Sequence, residues 1–352
     1  LPASPSAGDI VSLKDYKDTW AVACKAVTLG RNSSKIGGLC LCANLSTAGQ
    51  SVTMIYVDGT QGWENIQTDT TIQGSTYVTA SGGTETTSGD YKIHTFTADA
   101  DFVVTSGGTP LGSNSVDYLV VAGGGGGGFD NGGGAGAGGF RLSNSTSMPA
   151  PLTSPLATPT ALPVSAQTYP ITVGGGGAGG TCDPSGGANG SPSTFSTITS
   201  AGGGGGAAQG KDGGSGGGNC SSSPTTKGAG NTPPVSPAQG TDGGLRPGGA
   251  PAYAGGGGGG AGAVGANSTA PKGGDGGIGS YVLATGFAGS NGTTGPVPST
   301  RYFSGGGGGG GQPYVPGNNG SGGDGGGGDA HPTGAGTTNT GGGGGGGTSP
   351  ST

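Results

Sequence analysis

The residues best suited to nucleophilic, redox or metal chemistry are two histidines, His94 and His331, and five cysteines, Cys24, Cys40, Cys42, Cys182 and Cys220. A catalytic triad or a histidine metal site needs convergent partners, and the two histidines lie far apart in chemically different stretches. His94 alternates with Lys92 and Phe96 and is expected on a strand surface, whereas His331 precedes Pro332 in a loop. Cys40-x-Cys42 is one residue short of a CxxC pair, and no zinc spacing connects the five thiols. They are expected to be buried or idle, with at most two disulfides and the partner of Cys24 open between Cys40 and Cys42. Residues 205–210 followed by Lys211 imitate a phosphate loop, but Asp212 stands where a Ser or Thr would hold magnesium. GxGxxG recurs without the strand–helix unit that gives it meaning. Asp275 and Asp324 sit in glycine-rich runs without calcium-nonapeptide spacing and are expected to be solvated turn carboxylates. With only Glu64 and Glu85 as glutamates, no paired-carboxylate site emerges. The chain reads as non-enzymatic, with no cofactor and no metal.

Composition explains why chemistry is so sparse. Glycine fills 94 of 352 positions, and hydrophobic residues reach only 29%. A core of packed aliphatic side chains therefore cannot extend through most of the chain. The net charge of −6 is too small for disorder by self-repulsion, and 18 acidic against 12 basic residues exclude the basic footprint of a nucleic-acid binder. Twenty-four prolines argue against long helices. No stretch approaches the 18 or so apolar residues of a membrane span. The opening Leu1-Pro2 is expected to mark a processed product or the end of a longer polypeptide.

The elements that would position any functional residue fall into two materials. Glycine supplies 14 of the first 118 residues and 80 of the 234 that follow. Residues 1–118 read as a small β-rich domain for oligomerisation or fibre attachment. Strands are expected at 9–13, 19–23, 51–57, 92–97 and 102–105, with a turn at Asp58-Gly59 and with Trp20 and Trp63 as core or interface anchors. Val52, Met54 and Tyr56 alternate with Thr53, Ile55 and Val57, which predicts a strand covered on both faces. So small a domain gains from oligomerisation.

Residues 119–352 read as an irregular repeat. Pure glycine runs at 123–128, 174–177, 202–206, 255–260, 305–311 and 341–347 alternate with glycine-dense stretches at 132–139, 186–190, 213–218, 272–279 and 317–328. Strict Gly-X-Y is absent, which excludes collagen. A flexible linker has no need of the apolar clusters that precede the runs: 118–122, 169–173, 195–201, Tyr253-Ala254 and 302–304. The remaining state is a bundle of extended polyglycine-II threads, similar to polyproline II, each finding hydrogen-bond partners on its neighbours. If the runs alternate strictly in direction, far turns fall at 129–131, 181–185, 207–212, 263–271 and 312–316. Near turns then fall at 140–172, 191–201, 219–254, 280–304 and 329–340. On this reading Cys182 and Cys220 lie at opposite ends.

Several blocks carry a resemblance. Residues 117–126 (DYLVVAGGGG), 137–141 (AGGFR), 169–174 (YPITVG) and 213–218 (GGSGGG) resemble the glycine-rich domain of bacteriophage tail-fibre proteins, notably those of aquatic phages. Residues 55–63 (IYVDGTQGW) and 89–96 (GDYKIHTF) resemble the module preceding it. The wider resemblance is to phage tip adhesins folded as polyglycine-II sandwiches, whose far loops recognise the host surface. The long proline-rich insertion at 148–163 departs from that compact pattern. The resemblance implies a virion tail-fibre location, extracellular, as a homotrimer or with other fibre subunits. It also implies a host cell-surface glycan or outer-membrane protein as receptor, without membrane insertion. Loop position and side-chain type assign the receptor to Phe129, Asp130, Asn131, Gln209, Lys211, Gln312 and Tyr314. Rings stack on sugars while amides and carboxylates bond hydroxyls. Two other functions compete: a structural extracellular filament without receptor specificity, and ice binding, which the irregular loops disfavour.

Overall fold

The computed structural model describes residues 1–22, 25–66, 76–109, 112–144, 154–181, 186–220, 226–247, 253–269, 271–312 and 317–348. Among them the regular elements are β-strands and a single π turn, Ala284–Ala288; none is an α-helix. The chain forms two compact units. One comprises Leu1–Ala80, Val103–Val116 and Pro163–Gln167, the other Ser81–Phe102, Asp117–Leu162 and Thr168–Thr352.

In the first unit an antiparallel sheet places Ser51–Asp58 between Ile10–Lys14 and Gly62–Asn65. Asp58 makes the return turn by accepting the N–H groups of Thr60 and Gln61, both at 2.7 Å. A second hairpin pairs Val27–Leu29 with Ala43–Leu45. Leu29, Ile36, Leu45, Val52, Met54 and Trp63 form the buried core, with Trp20 and Tyr56 packed against it. The Tyr56 ring meets Trp63 edge-on at 5.5 Å. Ser51–Asp58 is covered on one face only: Val52 and Met54 are buried, whereas Thr53 and Ile55 are half-buried and Val57 exposed. The alternation predicted two covered faces, but the buried core packs on the Val52 and Met54 face alone. No strand forms at 19–22, where the chain turns instead.

In the second unit three of the five apolar clusters become strands leading into glycine runs: Leu119–Val121, Gln167–Thr172 and Thr300–Phe303. A fourth becomes the antiparallel pair of Ser193–Phe195 and Ile198–Ser200. Leu119–Val121 pairs with Phe140–Ser143, and Ser280–Leu283 with Thr300–Phe303. Phe140, Leu142, Val282, Ala288 and Phe303 pack together. Beside them Phe102 gathers four rings, those of His94, Phe96, Tyr169 and Phe195, at centroid distances of 5.2–6.5 Å. His94 is thus no surface residue: its side chain is 10% exposed and its Nδ1 lies 2.8 Å from the Gly82 carbonyl oxygen.

The glycine runs carry almost no regular strand, yet their backbones are paired throughout the interior. Residues 255–260 illustrate the pattern. The N–H groups of Gly255 and Gly258 donate to Gly310 and Gly307, those of Gly256 and Gly259 to Asn219 and Gly216, those of Gly257 and Gly260 to Ala266 and Ala263. Their carbonyls accept from Gly274 and Gly277, from Gly134 and Ala137, and from Gly244 and Thr241. Every donor and acceptor of this run is used, at 2.7–3.1 Å, by six different neighbouring segments, and each neighbour recurs every third residue. Residues 132–139 and 305–310 are surrounded in the same way. Such proximity leaves no room for side chains: a methyl on Gly258 would overlap the Ala135 carbonyl. Ala135 and Ala137 are the exceptions, two fully buried methyls inside 132–139.

The directions of the runs differ from strict alternation. Residues 213–218 and 202–206 both run antiparallel to 132–139, through Gly218 and Ser215 bonded to Gly134 and Ala137 and through Gly136 and Gly139 bonded to Gly204 and Ala201. They are therefore parallel to each other. Three segments expected to be loops are further runs. Residues 226–231 pair with 213–217, residues 241–244 with 257–260, and residues 263–266 with 257–260 as well.

Candidate functional site

These directions gather the strands of the second unit at one end of its runs and leave turns at the other. Phe129, Asp130 and Asn131 form the turn between residues 123–128 and 132–139. Asp130 and Asn131 take φ of 45° and 49°, a left-handed geometry that Asp and Asn tolerate better than most residues. The reversal closes when the Gly128 N–H reaches the Gly133 carbonyl at 2.9 Å. It leaves Phe129 41% exposed.

Gln312 lies at the same end. It follows Gly310, which donates to Gly132, and its own N–H reaches the Pro271 carbonyl. Gln209 is exposed, just beyond Ala207, which bridges to Asn219. Lys211 is not part of this turn. Its N–H reaches the Gly205 carbonyl and its own carbonyl accepts from Gly217, so the residue lies alongside the runs; its ammonium is spent on the Gly187 carbonyl at 2.8 Å. Tyr314 lies outside the described residues.

Sequence reasoning missed the most organised pair at this end. The Arg246 guanidinium lies 5.1 Å from the centre of the Tyr253 ring, and Tyr253 is 56% exposed. Arg246 donates through Nη1 to the Cys220 carbonyl at 2.8 Å, and its backbone N–H is held by the Asn219 side chain. Asn219 is anchored in turn by the Gly256 N–H, and a methyl on Gly255 would come within 2.9 Å of the Asn131 carbonyl. Arg246, Tyr253 and the Phe129–Asn131 turn therefore belong to one neighbourhood. Residues 219–254 were expected at the opposite end. The missed signal lies in residues 207–212, expected as a turn: they travel back alongside the runs, Lys211 bonding Gly205 and Gly217, so that 213–218 repeats the direction of 202–206 and ends at the turn end. Cys220 is likewise at the turn end, not opposite it, while Cys182 and Cys24 lie outside the described residues.

Four aspartates of the second unit work on the backbone. Asp212, Asp242, Asp275 and Asp329 accept the N–H groups of Ala229, Gly230, Ser321 and Gly322 at 2.6–2.9 Å. They cap outer runs that have no further neighbour, which corrects the expectation of a merely solvated carboxylate at Asp275. Gly230 and then Lys227, whose ammonium is 3.1 Å away, hold the Asp242 carboxyl below its ordinary range.

The pattern of a glycine-rich domain family matches residues 97–352, and the chain belongs to that family. No curated protein and no solved structure matches it.

Proposed function

We propose that residues 119–352 form a polyglycine-II bundle and that the protein is a non-enzymatic adhesin of a phage tail fibre. Three-residue periodicity supports the thread geometry, since polyglycine II turns once every three residues. Six-sided pairing explains why glycine, costly to order, is worth ordering here: each residue fixed contributes a donor and an acceptor to the lattice. A bundle so constrained offers its turn end as a rigid platform for a binding surface.

The observation that carries the receptor reading is the Arg246–Tyr253 pair beside the exposed Phe129 turn. Aromatic faces with an adjacent fixed cation and nearby Asn and Asp suit a host-surface glycan, or an outer-membrane protein loop, held by stacking and hydrogen bonds. Several fibres acting together would make weak single sites effective. Residues 1–118 would serve oligomerisation or attachment to the fibre. The test is adsorption of Phe129→Ala/Tyr253→Ala protein to host envelopes with and without their polysaccharide. Unchanged adsorption by a normally folded variant defeats the reading.

A further inference from the structure

Residues 174–180 form an outer run unlike the other outer runs of the bundle. Their inward positions, 174, 177 and 180, donate to Ser193 Oγ, Gly124 and Gly127. Two carbonyls, of Gly175 and Ala178, accept from Ser191 and Ala188. The N–H groups of Gly175, Gly176, Ala178 and Gly179 have no partner among the described residues, and all four residues are exposed. The carbonyls of Gly176 and Gly179 are open as well.

Elsewhere the bundle follows a simple rule, with glycine facing inward and a side chain facing out. In 263–267 only Gly265 is buried, and the exposed positions carry Val264, Ala266 and Asn267. In 186–190 the exposed positions carry Ala188 and Asn189; in 226–230 Ala229 is exposed and Gly228 buried. In 318–324 the exposed positions carry Ser321 and Asp324. Residues 174–180 break this rule at three positions. A Cβ on Gly175 would meet nothing within 4 Å, and on Gly176 and Gly179 only backbone oxygens at 3.7 and 3.8 Å. Their backbones have no positive φ that would require glycine. Nothing among the described residues demands glycine there, so the demand comes from outside: another backbone approaching closely enough to bond.

We infer that this open backbone edge docks on a second copy of the chain, glycine run against glycine run. A partner with ordinary side chains could not come close enough, whereas this chain's own exposed run offers the required surface. Its outward positions carry no charge, so two copies can meet there despite a net charge of −6 each. Pairing inside the bundle also sets the mode. Gly255 and Gly258 donate to Gly310 and Gly307, whose own N–H groups turn away to Gly132 and Ala135. The contact between these two antiparallel runs is one-way, and docking in the same mode sets the N–H groups of one copy's edge against the carbonyls of the other's. A seven-residue run is about 22 Å long at roughly 3.1 Å per residue. It buries less than the 1,200 Å² or so of a standard interface, so association is weak and concentration-dependent.

The inference stands on the backbone geometry and does not require the attachment reading. Its test is sedimentation velocity over a concentration series for the full chain and for Gly176→Val/Gly179→Val, with thermal unfolding of each in dilute solution. The expected result is reversible self-association of the parent, lost in the variant, with the same melting temperature for both. A parent that stays monomeric, or a variant that associates as the parent does, overturns the inference. So does a variant that melts lower when dilute, because the edge would then be covered by its own chain.

Discussion

The amide of Gly258 donates to the carbonyl of Gly307 at 2.8 Å, and the amide of Gly307 donates in turn to Ala135 at 2.9 Å. Ala135 is the residue whose carbonyl a methyl on Gly258 would strike. Three runs far apart in sequence thus meet at one point, each with a period of three residues. Gly258→Ala should consequently cost about 3 kcal/mol, at the upper end of ordinary overpacking, because backbone rather than a pliable side chain must yield. Chemical denaturation of the variant against the parent reads this directly.

The ring cluster at the strand end makes a separate prediction. Phe102 is 6% exposed and touches His94, Phe96, Tyr169 and Phe195. Phe102→Ala should lower stability by about 3–5 kcal/mol, as a large buried truncation does. Phe102→Leu should recover most of that loss in the same urea titration.

Acid sensitivity should be local and modest. Gly230 and Lys227 stabilise the charged form of Asp242, so its carboxyl titrates below its unfolded-state value. The stabilisation is full above roughly pH 4, the unfolded-state value, and is lost as pH falls through the folded-state value. The side chain is 43% exposed, so screening limits the contribution to less than about 1 kcal/mol. Asp242→Asn should lower the melting temperature near neutral pH and reduce its fall on acidification.

At the turn end, Tyr253→Ala should slow adsorption to host cells while leaving the melting temperature unchanged, since the ring is more than half exposed. Arg246→Lys should behave as a partial loss: the ammonium keeps the charge but not the planar group over the ring. Equal adsorption by all three proteins would remove the pair from the proposed receptor surface.

What the sequence made legible follows from where glycine is obligatory. Interior runs such as 255–260 and 305–310 have neighbours on six sides, so almost every position is glycine, with Ala135 and Ala137 in 132–139 the tolerated methyls, and the run stands out. Outer runs need it only where they face inward. Gly265 alone is enough for residues 263–266, and Val264 and Ala266 make that stretch look like a loop. Residues 207–212, read as a turn, also travel back alongside the runs, which reverses the expected direction of 213–218 and is why Arg246 and Tyr253 were placed at the wrong end. The strands were easier to read because alternation and the Asp58-Gly59 turn are local signals. Burial of His94 was not, since it depends on Phe102 arriving from another strand.

Residue-resolved amide hydrogen exchange on dilute protein tests the central claim most directly. The account predicts slow exchange at Gly255, Gly256, Gly257, Gly258, Gly259 and Gly260, and fast exchange at Gly175, Gly176 and Gly179. Rapid exchange throughout 255–260, at the rate of an unstructured peptide, would contradict it.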